Sequence, residues 1–305
     1  MILPFSLIER VAIGPQPDAA DASVLDFNDG RRLSRRQLTE SVLVLASVGK
    51  GKTTLAKTFG RALLRDHCGG LVLTVKSSQV DEIRAMCVAE ERVFDLIEFG
   101  PGCGHVFNPL QGEESSAEAA ALLVEIADLL AARGNRGGGE NESFWREQLS
   151  IILRNVFVLC RVAHGRHDLL LAADLFAGRA STLADLSDPR WQERSPLAAA
   201  LRLGRQQAGH PETRLAVDYF EKDFPALGDR LQGSLAATVS AVFDHLCRSP
   251  MRDLFAGKST FDMESLLEHA KVCVVALPAL DSTAGRIANG VLQHCFCRAA
   301  VRRPR

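Results

Sequence analysis

Four short runs of aliphatic and β-branched residues stand out along the chain, each bounded by polar or glycine-containing segments. They occupy residues 41–46, 71–76, 93–99 and 272–277. Continuous apolar runs of this length are typical of strands that are buried on both faces of a parallel sheet. Because helical patterns separate the first three runs, the sequence predicts βαβ units and therefore an α/β fold.

The middle of the chain has a helical period instead. Apolar residues recur at spacings of three and four within residues 117–133 and 144–162, and they include Leu122, Ile126, Leu129, Leu130, Leu149, Ile152, Leu153, Val156 and Phe157. A loop is predicted between these two helices, because four of the six residues at 134–139 are glycine. No strand pattern occurs over residues 113–230, so this segment is predicted to be an all-α insertion.

One more helical face precedes the last predicted strand. It consists of five apolar residues, Leu235, Val239, Val242, Phe243 and Leu246. The pattern therefore predicts three segments. Residues 1–112 form the N-terminal part of a sheet domain, residues 113–230 form the all-α insertion, and residues 231–305 return to the sheet domain.

Composition and charge narrow the function classes. Of the 305 residues, 47% are apolar and 24% are charged, which excludes a disordered chain and a protein with many membrane spans. The 36 Lys and Arg residues are balanced by 37 Asp and Glu residues, so contact with nucleic acid requires a local basic patch. No apolar run is long enough to cross a bilayer, and residues 1–8 lack the pattern of a secretory leader. We therefore expect a cytoplasmic protein without a transmembrane segment.

The eight cysteines do not form a metal-binding pattern, since no C-x-x-C pair occurs. Several lie inside apolar stretches, where a thiol serves as a small buried side chain. Cys295 and Cys297 follow His294 closely, but their spacing on a helix directs the two sulfur atoms apart. Neither a disulfide framework nor a cysteine-based metal site is expected.

The segment that carries chemistry follows the first predicted strand. Residues 46–54 read Ala-Ser-Val-Gly-Lys-Gly-Lys-Thr-Thr, and a helical pattern begins directly after them. This is a phosphate-binding loop (Walker A) in its strand–loop–helix context, with Ala46 in the first position of the G-x-x-x-x-G-K-[ST] pattern. The glycines let backbone N–H groups turn toward phosphate oxygens, and the following helix directs the positive end of its dipole at the same anion.

Each residue of this loop has an expected role. Lys52 is expected to reach the β- and γ-phosphates of ATP, Thr53 to bind Mg²⁺ through its hydroxyl, and Thr54 to lie near the α-phosphate. The predicted nucleotide-binding set is completed by Gly49, Lys50 and Gly51.

Hydrolysis in this class also needs a second apolar strand that ends in Asp, usually followed by Glu, to hold the metal-bound water. No such strand is found in the sequence. Asp281, which follows the last predicted strand, is a candidate for this role. An ordinary loop aspartate or a helix N-cap is the alternative interpretation.

The order of motifs resembles the coupling ATPases of conjugative transfer and type IV secretion (the TraD/TraG class), which belong with the FtsK/HerA-like DNA-pumping motors. The resemblance depends on the phosphate loop, the strand that ends at Lys76, the motif Phe-Asn-Pro-Leu at residues 107–110, Phe-Trp-Arg-Glu-Gln at 144–148, and Ser-Pro-Met-Arg-Asp-Leu-Phe at 249–255 before the last strand. Together these motifs span about residues 40–300.

The resemblance implies a RecA-like motor domain, in which helices flank a parallel sheet and an all-α domain is inserted. It also implies hexameric assembly and the ATP-driven passage of DNA, or the delivery of a secreted protein to the components of a secretion channel. Nucleotide binding by residues 49–54 is carried over from the family.

Two features depart from the family. Transmembrane helices usually precede the motor domain, and the sequence shows none, so stable membrane attachment is in doubt and the chain is expected in the cytoplasm or peripheral to the inner membrane. The Walker B strand usually follows a helix such as residues 284–301, and this sequence stops there. Nucleotide binding is therefore expected of this chain, while hydrolysis is in question.

Two other functions remain open. The chain is alternatively a small P-loop kinase or other NTPase that uses Asp281, or a non-catalytic interaction module. The candidates for contact with DNA phosphates are four residues before the first strand, Arg31, Arg32, Arg35 and Arg36. A solvated loop is the alternative for them, because no aromatic residues interleave for base stacking.

Overall fold

The computed structural model describes residues 23–26, 30, 32–38, 47, 49–111, 115–131, 140–207, 209–280 and 282–303, without the side chains of 35, 38, 129–131 and 140–142. The described residues form two compact units. Those up to Phe107 and those from Ser259 onward make unit 1, and Asn108–Lys258 make unit 2.

The elements follow one another along the chain. Unit 1 begins with β1 (Ser23–Asp26), β2 (Arg32–Ser34), α1 (Arg35–Leu38), α2 (Lys52–Arg65), β3 (Gly70–Val72), α3 (Ser78–Ala89) and β4 (Leu96–Phe99). Unit 2 contains α4 (Ser116–Ala131), α5 (Glu140–His164), α6 (Leu169–Ala177), α7 (Pro189–Arg194), α8 (Pro196–Gln206), α9 (Pro211–Asp218), α10 (Asp229–Cys247) and α11 (Met251–Phe255). Unit 1 then resumes with α12 (Met263–Glu268), β5 (Val272–Val275) and α13 (Thr283–Arg302).

Unit 1 contains a three-stranded parallel sheet in which β5 lies between β3 and β4. Gly70 of β3 and Leu96 of β4 both pair with Val272, so the three strands start at the same level. All four residues of β5 are buried, as expected for an unbroken apolar run at the centre of a parallel sheet. The α/β class predicted from the sequence is confirmed, and β1 and β2 pair separately as an antiparallel hairpin.

Three of the four predicted strands are present in shorter form. Residues 93–95 form a 3₁₀ turn before β4 instead of belonging to it. Beyond β3 the chain leaves the regular ladder, yet it stays attached to the central segment: the Thr74 hydroxyl donates to the carbonyl of Val275, and the Ala279 N–H donates to the carbonyl of Thr74 at 3.0 Å. The fourth predicted strand, residues 41–46, lies outside the described residues.

A buried arginine joins the segments at the amino ends of the strands. Arg92, which is 4% exposed, donates to the carbonyl oxygens of Leu64 at 3.0 Å, Cys68 at 3.3 Å and Ala270 at 2.6 Å. It also forms an ion pair with Asp95. One guanidinium therefore satisfies carbonyls from the end of α2, from the turn before β3 and from the segment before β5.

Close backbone contacts mark the carboxyl end of β5. A Cβ at Gly100 would lie 2.7 Å from the carbonyl oxygen of Ala276, and a Cβ at Gly285 would lie 2.2 Å from that of Pro278. The Asn289 amide of α13 donates to the carbonyl of Leu277 at 2.9 Å. The first turns of α13 are thus pressed directly onto the end of the central strand.

Unit 2 is helical, and α4, α6, α8, α9 and α10 all pack against α5. The apolar face predicted for α5 is confirmed, since Ile152, Leu153, Val156 and Phe157 have no exposed surface. Leu122 and Ile126 of α4 are also buried. The side chains of Leu129 and Leu130 and the predicted glycine loop lie outside the described residues.

The segment boundaries differ from the predicted ones. The sequence pattern assigned residues 231–258 to the sheet domain, whereas these residues belong to unit 2. The apolar face of α10, formed by Leu235, Val239, Val242, Phe243 and Leu246, is buried against other helices, and α10 packs on α5 and α6. An amphipathic face shows that a helix is packed but not whether its partner is a sheet or another helix, which is why the pattern failed here. The first boundary falls at Phe107 rather than at residue 112.

The contact at Gly285 gives a prediction about stability. We expect Gly285→Ala to lower the free energy of unfolding of unit 1 by about 1–3 kcal/mol, because the methyl group collides with the backbone of Pro278. The matched control is Gly233→Ala in α10, where a Cβ meets nothing within 4 Å. Alanine should raise the stability of unit 2 there by about 0.5–1 kcal/mol through helix propensity.

Native-state hydrogen exchange, read on peptides from α13 and α10 in the two variants, measures both effects separately. Equal protection of α13 in Gly285→Ala and the parent chain would contradict the close approach to Pro278.

Candidate phosphate-binding site

The backbone of the predicted phosphate loop has the conformation that its sequence calls for. Gly49 has φ 77° and Gly51 has φ 79°, both in the left-handed region. A Cβ at either position would meet nothing within 4 Å, so the glycines are required here by backbone conformation and not by crowding from the protein. The Lys50 N–H donates to the Ser47 carbonyl at 3.3 Å, and α2 begins at Lys52.

The electrostatics of the loop favour an anion. The first turn of α2 contains no acidic residue, and its N-cap, Gly51, has no side chain that could accept a hydrogen bond from that turn. The first N–H groups of a helix have no intrahelical acceptor, and they carry the positive end of the helix dipole. Lys52 adds a full positive charge at the same place. All six residues of the predicted set, 49–54, are exposed, so a ligand has access to them.

Ion pairs between α2 and α3 fix the direction of the helix that carries the loop. Lys57 pairs with Glu82 at 3.1 Å, whereas Arg61 and Arg65 both pair with Glu90, at 2.8 and 3.1 Å. Early residues of α2 thus meet early residues of α3, and late residues meet late ones, so the two helices run parallel. Since α3 starts just after the carboxyl end of β3, the start of α2 and the phosphate loop lie toward the same end of the sheet. This is the edge at which α/β proteins bind their ligands.

Sequence reasoning missed the residues that form these ion pairs. The Glu90 carboxylate is 7% exposed and accepts from both guanidiniums, which hold its pKa below the usual range. The sequence contains a signal for half of the arrangement, because Lys57, Arg61 and Arg65 recur at a spacing of four and so form one basic stripe on a helix. Nothing in the pattern identifies the carboxylates that meet this stripe.

Lys76 lies at the carboxyl edge of the sheet, just beyond β3, and is exposed. Its backbone is held in place, because the side-chain Oε1 of Gln79 accepts from the N–H groups of Val75 at 2.6 Å and Lys76 at 2.9 Å. A second cation is therefore present on the edge toward which the loop lies.

A cavity of about 200 Å³ lies behind the loop, between α2, α3 and β3. Thr53 is the one residue of the predicted set that lines it, and the other lining side chains are mostly apolar, among them Leu63, Ile83 and Met86. An apolar space of this kind does not fit phosphate. The open outer surface of the loop is the candidate phosphate site.

Of the other predicted site residues, only Arg32 and Arg36 are described with their side chains. Asp281 and Arg31 lie outside the described residues, as does the side chain of Arg35. Arg32 forms a largely exposed ion pair with Asp26 at 3.2 Å within the β1–β2 hairpin, and Arg36 is exposed on α1. The pairing of Arg32 with a carboxylate reduces the positive charge that a DNA phosphate would meet at this position.

Cys273 is buried, as its position between Val272 and Val274 predicts. Among the described residues, no group of three or more His, Cys, Asp or Glu side chains could hold a metal ion. Cys160 and Cys273 are completely buried, and burial raises the pKa of the Cys160 thiol to about 11 and that of Cys273 to about 12. These thiols are packing groups and not nucleophiles.

Neither a protein-family model nor a curated protein or a solved structure matches this chain. Among the described residues, no helix is both long enough and apolar enough to span a bilayer.

The raised thiol pKa values lead to a labelling prediction. Iodoacetamide reacts with the thiolate, and at pH 8 a thiol of pKa 11 is ionised to only about one part in a thousand. We expect Cys160 and Cys273 to stay unmodified in the folded chain at pH 8 and to react once urea unfolds it, as read by mass spectrometry of the two peptides. Because the shift is upward, labelling of the folded chain should increase only as the pH approaches 11. Rapid modification of either residue at pH 8 would show that its burial is wrong.

Proposed function

We propose that this chain binds ATP together with Mg²⁺ through residues 49–54. The observation that carries the proposal is the parallel course of α2 and α3, since it directs two left-handed glycines and a helix N-terminus toward the ligand-binding edge of a parallel sheet. A surface turn with the same sequence would have no reason to lie there.

The residues of the loop divide the nucleotide among them. The N–H groups of the loop and of the first turn of α2 bind the β-phosphate, and the Lys52 ammonium compensates the charge between the β- and γ-phosphates. Thr53 offers a hydroxyl oxygen, which is a ligand that Mg²⁺ accepts, and Thr54 lies toward the α-phosphate. Bound Mg²⁺ supplies charge neutralisation between phosphate oxygens.

Within this proposal, the chain is a nucleotide-binding protein of the motor type, related to the coupling ATPases that move DNA in conjugation and type IV secretion. Its support is the order of the motifs in the sequence together with the position of the helical unit. Unit 2 is inserted between β4 and α12, so a sheet-containing unit is interrupted by an all-α one, as the RecA-like motors of that family are. DNA or a secreted protein, the components of a secretion channel and further copies of the chain are the partners that this proposal implies.

The first test is nucleotide affinity. We expect Lys52→Ala to weaken the binding of a fluorescent ATP analogue in the presence of Mg²⁺ by about tenfold to a hundredfold, because a charge-assisted contact of roughly 1.5–3 kcal/mol is lost while the loop backbone remains. The matched control is Lys57→Ala, which removes the same charge from the same helix but from an ion pair with Glu82. Equal affinity of Lys52→Ala and the parent chain would exclude the loop as the nucleotide site.

The motor part of the proposal has its own test. We expect a non-hydrolysable ATP analogue with Mg²⁺ to raise the affinity for duplex DNA by at least about fivefold, as a coupling free energy of 1 kcal/mol or more between two sites requires. Fluorescence anisotropy at fixed salt measures this affinity, and Lys52→Ala should remove the dependence on nucleotide.

Parallel measurement of phosphate release separates the alternatives. If the affinity for DNA is the same with and without bound nucleotide, the proposed motor function is contradicted, whereas the proposed nucleotide binding is not. Phosphorylation of a small molecule that Asp281→Asn abolishes would identify a kinase instead.

A further inference from the structure

We propose that a cavity in unit 2 binds a small phosphate-bearing molecule, at a site distinct from the loop at residues 49–54 and independent of the function proposed above. The cavity has a volume of about 750 Å³ and lies where α5 turns into α6. Its polar lining consists mainly of Asn108, Gln111, Arg161, Arg166, Asp168 and Lys258. A volume of this size is within the range of small-molecule sites.

The charge of the lining favours an anion. Three cations, Arg161, Arg166 and Lys258, face one carboxylate, that of Asp168. Arg166 forms an ion pair with Asp168, with 3.4 Å between nitrogen and oxygen, and Arg161 forms one with Glu212 at 3.6 Å. Both distances exceed the 2.6 Å of the Arg205–Glu221 pair in the same unit. Long, partly exposed ion pairs contribute little, so a ligand that offers two or three oxyanions can replace them at small cost.

The backbone that presents these cations is held firmly. Gly165, with φ 71°, ends α5 by donating to the Arg161 carbonyl at 2.8 Å. The Asp168 carboxylate caps α6 by accepting from the N–H groups of Leu170 and Leu171 at 3.0 and 3.1 Å. The turn between Arg161 and Arg166 is thus fixed at both of its ends.

Further bonds hold the turn and the opposite wall. The imidazole of His167, 4% exposed, lies 3.0 Å from the Ser116 hydroxyl, and the Cys160 thiol donates to the Arg166 carbonyl at 3.4 Å. On the other side, the Asn108 amide donates to the Gly257 carbonyl at 2.9 Å, next to Lys258. Binding therefore needs only side-chain rotations, since the cations are already gathered around one space.

The donor set selects the ligand class. Guanidinium groups pair with phosphoryl oxygens through two parallel hydrogen bonds, and an ammonium adds a compact charge. Among the described residues, no Phe, Tyr or Trp lines the cavity, and its one aromatic lining ring, His167, is 4% exposed and packs edge-on against Phe157, so little aromatic surface is open to a base. Recognition through phosphoryl groups alone fits a compact phosphate compound better than a nucleic acid strand.

Inorganic pyrophosphate is the probe, and the Lys52→Ala chain is the background, so that binding at the loop does not enter the measurement. We expect isothermal titration to detect pyrophosphate binding that Arg166→Gln or Lys258→Gln weakens about tenfold each. Arg166 has a side chain that is 70% exposed, so its replacement leaves the fold intact. The matched control is Arg230→Gln on α10, an exposed arginine of the same unit that does not line the cavity.

Hydrogen exchange of the full chain locates the site. Pyrophosphate should protect peptides that cover residues 161–171, and this protection should persist in Lys52→Ala.

An equal loss of affinity in Arg230→Gln and Arg166→Gln would overturn the proposal, because it would indicate nonspecific attraction. Tight binding of duplex DNA without binding of pyrophosphate would also overturn it in favour of a nucleic acid backbone. Protection confined to residues 49–55 of the parent chain would support the loop and refute the cavity, so the two proposals fail separately.

Discussion

The buried guanidinium of Arg92 is the interaction on which the organisation of unit 1 depends. It donates to carbonyls of three segments that are far apart in sequence, at Leu64, Cys68 and Ala270. Without it, the carbonyls of Cys68 and Ala270 would lose the guanidinium donor, at about 1–3 kcal/mol for a buried carbonyl, whereas the Leu64 carbonyl would keep the His67 N–H at 3.1 Å. Arg92 also holds the turn that ends α2, in which His67 has φ 55° and the Cys68 N–H donates to the Leu63 carbonyl at 2.9 Å. A helix of 14 residues is about 21 Å long, so fixing its last turn and its direction fixes the region in which the phosphate loop begins.

The direction of α2 depends on a second interaction, the contact of α2 with α3. The nearly buried Glu90 carboxylate accepts from two arginines, and its lowered pKa keeps it ionised at neutral pH. Two arginines that share one carboxylate fix the relative position of α2 and α3 more strictly than single surface ion pairs do. A shift of one helix by one turn would leave the partly buried Glu90 carboxylate unpaired. The hydrogen bonds of Arg92 at the amino ends of the strands and the ion pairs between α2 and α3 together orient a loop that lies toward the carboxyl ends of the strands.

The sequence predicts the local parts of this arrangement well. The apolar runs identify β3, β4 and β5. Only β5 is buried along its whole length, whereas β3 is half-buried and β4 alternates between half-buried and buried residues. The phosphate loop is predicted because its glycines and lysine form a pattern that packing of the core does not require, and Gly49 and Gly51 have the left-handed conformation that this pattern predicts. What the sequence does not predict is non-local. The insertion of β5 between β3 and β4, the carbonyls that Arg92 binds and the sharing of Glu90 are all contacts between segments whose pairing leaves no periodic signal. The assignment of α10 to the sheet domain fails for the same reason, since Val239 and Phe243 would form the same stripe against either partner.

The position of β5 raises a physical question, because β4 and β5 pair with the whole of unit 2 between them in sequence. Closing a loop of that length has an entropic cost that grows only slowly with length, but a flexible insertion would still oppose the pairing. The ends of unit 2 remove this difficulty. The Asn108 side chain bonds the Gly257 carbonyl at 2.9 Å within unit 2, and the Thr260 N–H bonds the Val106 carbonyl at 2.8 Å within unit 1. Once unit 2 is folded, its two termini are neighbours, and β5 reaches the sheet as if it followed a short connection. A domain whose ends are adjacent can be inserted in this way without disturbing the host sheet. The helical unit is therefore free to carry a site of its own, while the sheet keeps the strand order that orients the phosphate loop.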